Sequence, residues 1–422
     1  MLACVERYHA QAKSALSTIP AFASLQDSAC ADLLKLQFPR ARDEAWKYTS
    51  LKHFLDQDYV PGQVVSVDVA SLALAPIEAY VVSMDGECLS PTKTLPAGVM
   101  VCPLAQALID DPVRVQACLG TLLQHEHGLS ALNTAMLSRG LWIYIPPDVV
   151  LDEPIYIVHT AAQAQEALYV RHLIYADERS VATVIEDYIG QITEAYMTNA
   201  VTETFLMKGS ALTHYKIQRE GLGAFHVGQM LVKQCEQSQF YSQILHVGGR
   251  VVRHDLCVEL DEPFTKCSLN GLYSPHRGQH MDQHVRVNHA VPDGSSEQDY
   301  RGLISHQSRA VFDGQVKVAK DAQRTTARQQ NKNILLSGDA RVDTKPQLDI
   351  LADDVVCSHG ATVGRLDAEA LFYLSTRGLP QELAISYLIQ AFVASQFSRI
   401  PHAGLAAWMS DLLLTHLGIT YE

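Results

Sequence analysis

The chain has 422 residues, with 33 Lys and Arg against 46 Asp and Glu, a formal charge of −13 with histidine neutral. A field of that sign repels phosphate and argues against a nucleic-acid partner. The length suffices for a large core without disulfides, and the nine cysteines are odd in number, irregularly spaced and free of any CxxC pair, which points to a reducing compartment and away from a preassembled cysteine-ligated cluster.

Glu6 and Arg7 come almost at once, with no long apolar run before them. Neither a secretory signal nor a membrane span is expected, and a cytoplasmic location follows as the default. Residues 1–70 read as a helical region: Ala, Leu, Gln and Glu dominate from Ala3 to Leu36, with Pro20 as an interruption, and apolar residues recur at helical spacing. The segment from Phe38 to Leu51 breaks that regularity. Its Trp46 and Tyr48, set among charges, are expected to anchor the helical region to the rest of the chain by packing.

Residues 71–362 follow a different period. Ala79–Met84 reads as extended and Asp85-Gly86 as a turn; after a mixed stretch, Leu141–Ile145 ends at Pro146-Pro147. Short extended runs then recur, including Ile155–Val158, Leu168–Tyr175, Val181–Ile185, Leu212–Ile217, Val251–Val258 and Ala310–Ala319. Several begin about twenty-odd residues apart, as in rungs of a β-helix or strands of a sandwich. The lack of a long amphipathic helix between about residues 150 and 350 argues against an alternating α/β fold, and a large β-rich domain is expected. Between these two β architectures, spacing alone leaves the choice open.

Residues 363–422 return to helical spacing. Asp367 is placed to cap a helix over Ala368–Arg377, Gly378 to stop it, and Pro380 to open the next. That next helix, Gln381 to Gln396, carries Leu383, Ile385, Leu388, Ile389, Phe392 and Val393, a coverage broader than one stripe. A last helix, Ala403 to His416, carries Leu405, Trp408, Met409 and three consecutive leucines.

Several familiar chemistries lack their signatures: there is no GxxxxGK[ST] phosphate loop, no HExxH and no GxSxG. His280, His284 and His289 resemble a metal run, but along a strand His280 and His284 lie about 13 Å apart, so separately hydrogen-bonded histidines are expected. The block Cys357-Ser358-His359 stands out, because residues i and i+2 of an extended chain face one side and present a thiol beside an imidazole. Such a pair suits iron, zinc or copper, or a base-activated thiol, yet two ligands are too few for a closed structural site. Asp343, Asp349, Asp353 and Asp354 add acids just before it, and Lys345 a neutralising charge. A buried cysteine beside a turn histidine explains the same residues without chemistry.

The stretches Val342–Ile350, Asp353–Asp367 and Phe372–Gly378, together with Glu44–Thr49 and Ala310–Gly314, resemble the SufB/SufD family of the SUF iron–sulfur cluster assembly system, on its SufD side. The resemblance implies a right-handed parallel β-helix core flanked by N-terminal and C-terminal helical regions, and a non-enzymatic scaffold that pairs with a SufB-like paralogue and docks a SufC-like ABC ATPase through its C-terminal helices. It implies His359 as a ligand for iron or a nascent cluster, or as a proton-handling residue, with Cys357 as an accessory. Gly338–Asp343 holds no cysteine where SufB has one. No stably bound cofactor is therefore expected in the isolated chain, and a transient cluster belongs at the interface with the paralogue; the same surface leaves a homodimer open. Against this stand a Cys/His metal-dependent enzyme and an inert β-helical module.

Overall fold

The computed structural model describes residues 2–14, 19–62, 68–84, 91–161, 163–190 and 192–419; the Asp85-Gly86 turn lies outside them. The N-terminal part contains α1 (Leu2–Ser14), α2 (Pro20–Leu36), the short α3 (Lys52–Leu55) and a two-residue strand β1 (Val60–Pro61). Pro20 does not break a helix but opens α2, where its missing N–H costs nothing. β2 (Tyr80–Ser83) and β3 (Met100–Pro103) come next. The mixed stretch before residue 141 forms three short helices, α4 (Leu104–Asp110), α5 (Pro112–Cys118) and α6 (Gly128–Ala135).

From residue 141 to residue 364 the chain winds as a right-handed parallel β-solenoid whose strands alternate between two sheets. One sheet stacks β4 (Leu141–Ile145), β6 (Glu166–Ala176), β8 (Tyr196–Leu206), β10 (Ala224–Gln234), β12 (Val251–Leu260), β14 (His280–His289), β16 (Arg309–Val318) and β18 (Arg341–Ile350), with β3 antiparallel on β4 and β1 beside β6. The other stacks β5 (Ile155–Ala161), β7 (Val181–Gly190), β9 (Ala211–Arg219), β11 (Gln239–His246), β13 (Lys266–Tyr273), β15 (Ser295–Ile304), β17 (Thr325–Leu335) and β19 (Val355–Gly364), with β2 beside β5. Val251 stands opposite Phe225, His280 opposite Val251 and Arg309 opposite His280. One rung thus takes roughly 30 residues and two strands, inside the range of solenoid repeats. The shorter spacing of runs in the sequence is therefore not the rung itself.

One corner of each rung is closed by a left-handed residue: Asp148, Arg179, Gln237, Phe264, Asp293 and Arg324 all have φ between 57 and 65°. That conformation is disfavoured for a residue with a Cβ. It turns the N–H of Asp148, Arg179, Gln237, Asp293 and Arg324 toward a carbonyl of the next rung, as from Arg179 to Lys208 (3.0 Å) and from Asp293 to Gln323 (3.0 Å). The backbone ladder thereby continues around the corner.

Alternation along the strands sends Ile143, Ile157, Val184, Leu212, Leu256, Leu269, Val285 and Phe312 into an apolar interior. The helices pack along the two outer faces. Tyr8, Leu33, Phe38, Trp46 and Leu132 cover Tyr169, Met197 and Phe225 on one. On the other, α8 (Gln381–Phe397) and α9 (Ala403–His416) lay Ile389, Val393, Leu405, Met409 and Leu413 over Tyr215, Ile217, Leu245 and Leu272. Between β19 and α8 sits α7 (Ala368–Thr376), capped by Asp367 and burying none of its residues. No helix among the described residues is long and apolar enough to cross a membrane.

Candidate functional site

The last rung is the place to look for a site, because β18 and β19 each have a strand on one side only. A parallel edge left in this state offers a row of backbone donors and acceptors to another surface. Cys357 and His359 both lie on β19, opposite Ala327 and Gln329 of β17. Ala327 and Gln329 point into the solenoid, so Cys357 and His359 continue the same inward column at the point where the column ends.

The two residues differ in surroundings. Cys357 packs against the small apolar cluster of Val316, Val318, Ala322, Ala327 and Ala352, and burial pushes its thiol above the ordinary range. A neutral thiol in that setting is a weak nucleophile. His359 is exposed, and among the described residues it makes no hydrogen bond or ion pair. Its imidazole is free to meet a group supplied from outside the chain.

Of the acids before Cys357, Asp343 is engaged elsewhere through its carboxylate. Arg309 grips Asp343 through Nε and Nη2 (2.8 and 2.6 Å), and Lys345 bridges Glu44 (3.2 Å) and Asp313 (3.7 Å). Asp354 meets the preceding rung through its backbone, accepting from Arg324 N–H and donating to Gln323 Oε1. No acid among the described residues orients the His359 ring, so the structure does not assemble a Cys–His–Asp unit within the chain.

Toward this open end, amides replace part of the apolar filling. Gln329 donates to Gln298 (2.9 Å), Asn331 to the Tyr273 hydroxyl (2.8 Å), Asn333 to Asn331 (2.6 Å), and Thr344 to Asn331 (2.8 Å). Such a network is stable only where each member finds a partner. The face below His359 is polar, and Gln329 Oε1 and Gln298 Nε2 stay buried there without a hydrogen-bond partner. Leu351 just after β18, Val356 (72 % exposed) and Val363 on β19, and Phe372 (71 %) and Tyr373 on α7 leave apolar side chains in water.

A second cluster was not singled out from the sequence. Inside the solenoid, ligand atoms of His159, His172 and Glu186 lie within 4.8 Å of one another, close enough by distance to hold an ion. The hydrogen bonds show how the trio is occupied. Leu141 N–H donates to His172 Nδ1 (3.1 Å), so the neutral ring carries its proton on Nε2 and donates it to His159 Nε2 (3.2 Å). His159 then holds its proton on Nδ1, which has no partner. Glu186 accepts from Thr202 (2.9 Å), His214 (3.1 Å) and Tyr188 (2.6 Å). Burial lowers His172 to about 4, while His214 and Lys216 outweigh burial at Glu186 and keep it ionised. A metal on His172 Nε2 would have to displace a proton that the Leu141 hydrogen bond fixes there, the reverse of the usual metal-bound histidine, which donates its second nitrogen. The pattern that marks this cluster is polar residues at inward positions of strands, visible only once the faces are known.

The three histidines that resemble a metal run in the sequence are separate hydrogen-bonding groups. His280 meets Thr49 Oγ1 (2.7 Å), His284 meets Asp282 (2.9 Å) and His289 meets Ser296 (2.9 Å). The segment Glu44–Thr49 is an anchor: the Arg253 guanidinium lies 4.0 Å over the Trp46 ring and donates to Ala45 O (2.5 Å), while Arg309 covers Tyr48 (5.1 Å) and Thr49 donates to Asp282.

The sequence matches two family models in tandem, described as the SufBD protein N-terminal region over residues 6–157 and the SufBD core domain of SUF-system FeS cluster assembly over residues 158–392. An iron-sulfur cluster assembly SufBD family protein of Synechocystis is 31% identical over 396 residues, covering 89% of this chain and 87% of that protein. The iron-sulfur cluster assembly protein SufD of Escherichia coli is 30% identical over 383 residues, covering 88% of each chain. SufB of Bacillus subtilis is 24% identical over 284 residues, covering 65% of this chain and 60% of its own length. With its parallel solenoid, flanking helices and matches along nearly its whole length, the chain belongs to the SufB/SufD family of iron–sulfur cluster assembly proteins, matches SufD-type members closely, and is a scaffold rather than an enzyme.

Proposed function

We propose that this chain supplies one wall of a composite cluster-assembly site, formed when its terminal rung pairs with a SufB-like paralogue, and that it docks a SufC-like ATPase through its C-terminal helices. The observation that carries the reading is His359, exposed on an edge strand at the end of a polar column, with no hydrogen-bond or ion-pair partner among the described residues. A neutral imidazole is a borderline ligand suited to iron. In this reading the paralogue brings the thiolates, His359 completes the iron coordination or moves a proton there, and Cys357 is an accessory whose burial keeps it a thiol. The iron and sulfur are cargo of the complex.

The open edges of β18 and β19 favour strand-to-strand docking, and the exposed apolar side chains around them add area that leaves water on association. Phe372, Tyr373, Leu383 and Tyr387 on α7 and α8 form the surface assigned to the ATPase. Hydrolysis there would be transmitted along helices packed on a stiff solenoid.

The test is cluster reconstitution by the three-protein complex carrying His359→Ala. Cluster yield is expected to fall while the complex still assembles on gel filtration. Full yield and rate from an intact variant complex would remove His359 from the site.

A further inference from the structure

Away from the terminal rung, three imidazoles from distant parts of the chain meet where the end of α9 reaches the solenoid. His276 lies in the turn between β13 and β14, His306 in the turn after β15, and His416 in the last turn of α9. The His276 ring centroid is 4.7 Å from that of His306 and 5.9 Å from that of His416. The hydrogen bond of His416 fixes which of its nitrogens is free, and that of His276 is compatible with the same arrangement. His416 Nε2 is 2.7 Å from the Ser274 carbonyl, which can only accept, so Nε2 carries the proton and Nδ1 keeps its lone pair. His276 Nδ1 is 2.6 Å from Ser305 Oγ; donating there leaves Nε2 free. Anchoring one ring nitrogen on a protein oxygen and offering the other is how metal-bound histidines are oriented, and it is the opposite of His172.

The third ring is adaptable. His306 is exposed, while its backbone is pinned by N–H donation to Ser337 Oγ (2.8 Å) and by its carbonyl accepting from Gly278 (3.1 Å), so the side chain can turn toward the other two without moving the loop. Two features favour a cation. The C-terminal end of α9 presents the negative pole of the helix, and Asp339, held by Ser337, is near enough to His306 to interact with its charge. Arg277 opposes, from an exposed side chain that water screens.

We propose that His276, His306 and His416 form a half-exposed site for a borderline divalent transition metal such as Zn²⁺, tying the end of α9 to two successive turns of the solenoid. Three imidazoles suit such an ion and leave its remaining positions to water.

Titration of the 422-residue chain with Zn²⁺ at neutral pH is expected to fill one tightest site and to raise the unfolding temperature. His306→Gln, at an exposed position that folding does not depend on, is expected to weaken that site by roughly tenfold or more, as is His416→Gln; His359→Ala is expected to leave it unchanged. Co²⁺ in the same site should show ligand-field absorption without thiolate charge transfer. The proposal is overturned if there is no saturable binding, if the tightest site survives both histidine substitutions, or if a thiolate band shows that cysteines hold the ion.

Discussion

At the scale of single residues, exposure and pairing decide what a substitution does. His359 is exposed and has no partner among the described residues, so His359→Ala should alter the unfolding free energy by less than about 0.5 kcal/mol while acting on cluster assembly; a large loss of stability in urea melts would mean the ring holds the rung together instead. Arg171 is the contrary case. Its guanidinium pairs with Glu203 (2.8 Å) inside the protein, and the same carboxylate accepts from the backbone of Gly120 (2.9 Å), Leu122 (2.9 Å) and Leu123 (3.2 Å). Arg171→Met leaves that charge buried and should cost about 3–5 kcal/mol, read as a lower urea midpoint. Nothing in the sequence around Arg171 distinguishes it from a surface arginine, because its partner is 32 residues away and a rung apart. The Cys357–His359 block, by contrast, was legible as a same-face pair, since alternation along a strand is a local property.

Between elements, the C-terminal helices divide into a part packed on the solenoid and a part that stands in water. α9 buries Leu405, Met409, Leu413 and Leu414 over the outer face of a sheet. Met409→Ala should destabilise the chain by about 2–5 kcal/mol, seen as a fall in melting temperature. α7 buries nothing, and Phe372 and Tyr373 stand in water. Phe372→Ser should leave the melting temperature within about a degree, consistent with a surface change of less than about 0.5 kcal/mol, and should weaken capture of the ATPase in a pull-down; equal capture by wild type and variant would move the docking surface elsewhere. Asp367 as a cap and Pro380 ahead of α8 were both readable in the sequence, since capping involves only neighbours in the chain. Which helix face met the sheet was not readable, since α8 is apolar on more than one side.

For the molecule as a whole, the interior carries histidines that the fold keeps neutral. Burial lowers His127, His172 and His289 to about 4, and holds His159, His246 and His254 well below the ordinary value of 6.5. Between about pH 6.5 and 4 the unfolded chain therefore binds more protons than the folded one, and stability falls as pH drops through that window. His284, raised by Asp282, works the other way but is one group against several. At lower pH the depressed carboxylates Glu186, Glu220 and Asp255 add further loss as they protonate. Urea midpoints should be highest near neutrality and decline steadily toward pH 4.5; a flat profile would mean these rings are charged in the folded state. The amino-acid sequence by itself determined that the centre of the chain is β, that its ends are helical, where helices start, and that Cys357 and His359 share a face, because period and capping act over a few residues. The family motifs added the direction of winding. Only the tertiary structure decided the rung length, the polar column leading to His359, the occupied His159–His172–Glu186 trio and the meeting of His276, His306 and His416. In a solenoid such contacts join residues on facing strands or successive turns, from 13 residues apart for His159 and His172 to 30 for His276 and His306, and the rung spacing that brings them together is set by backbone corners rather than by any local pattern.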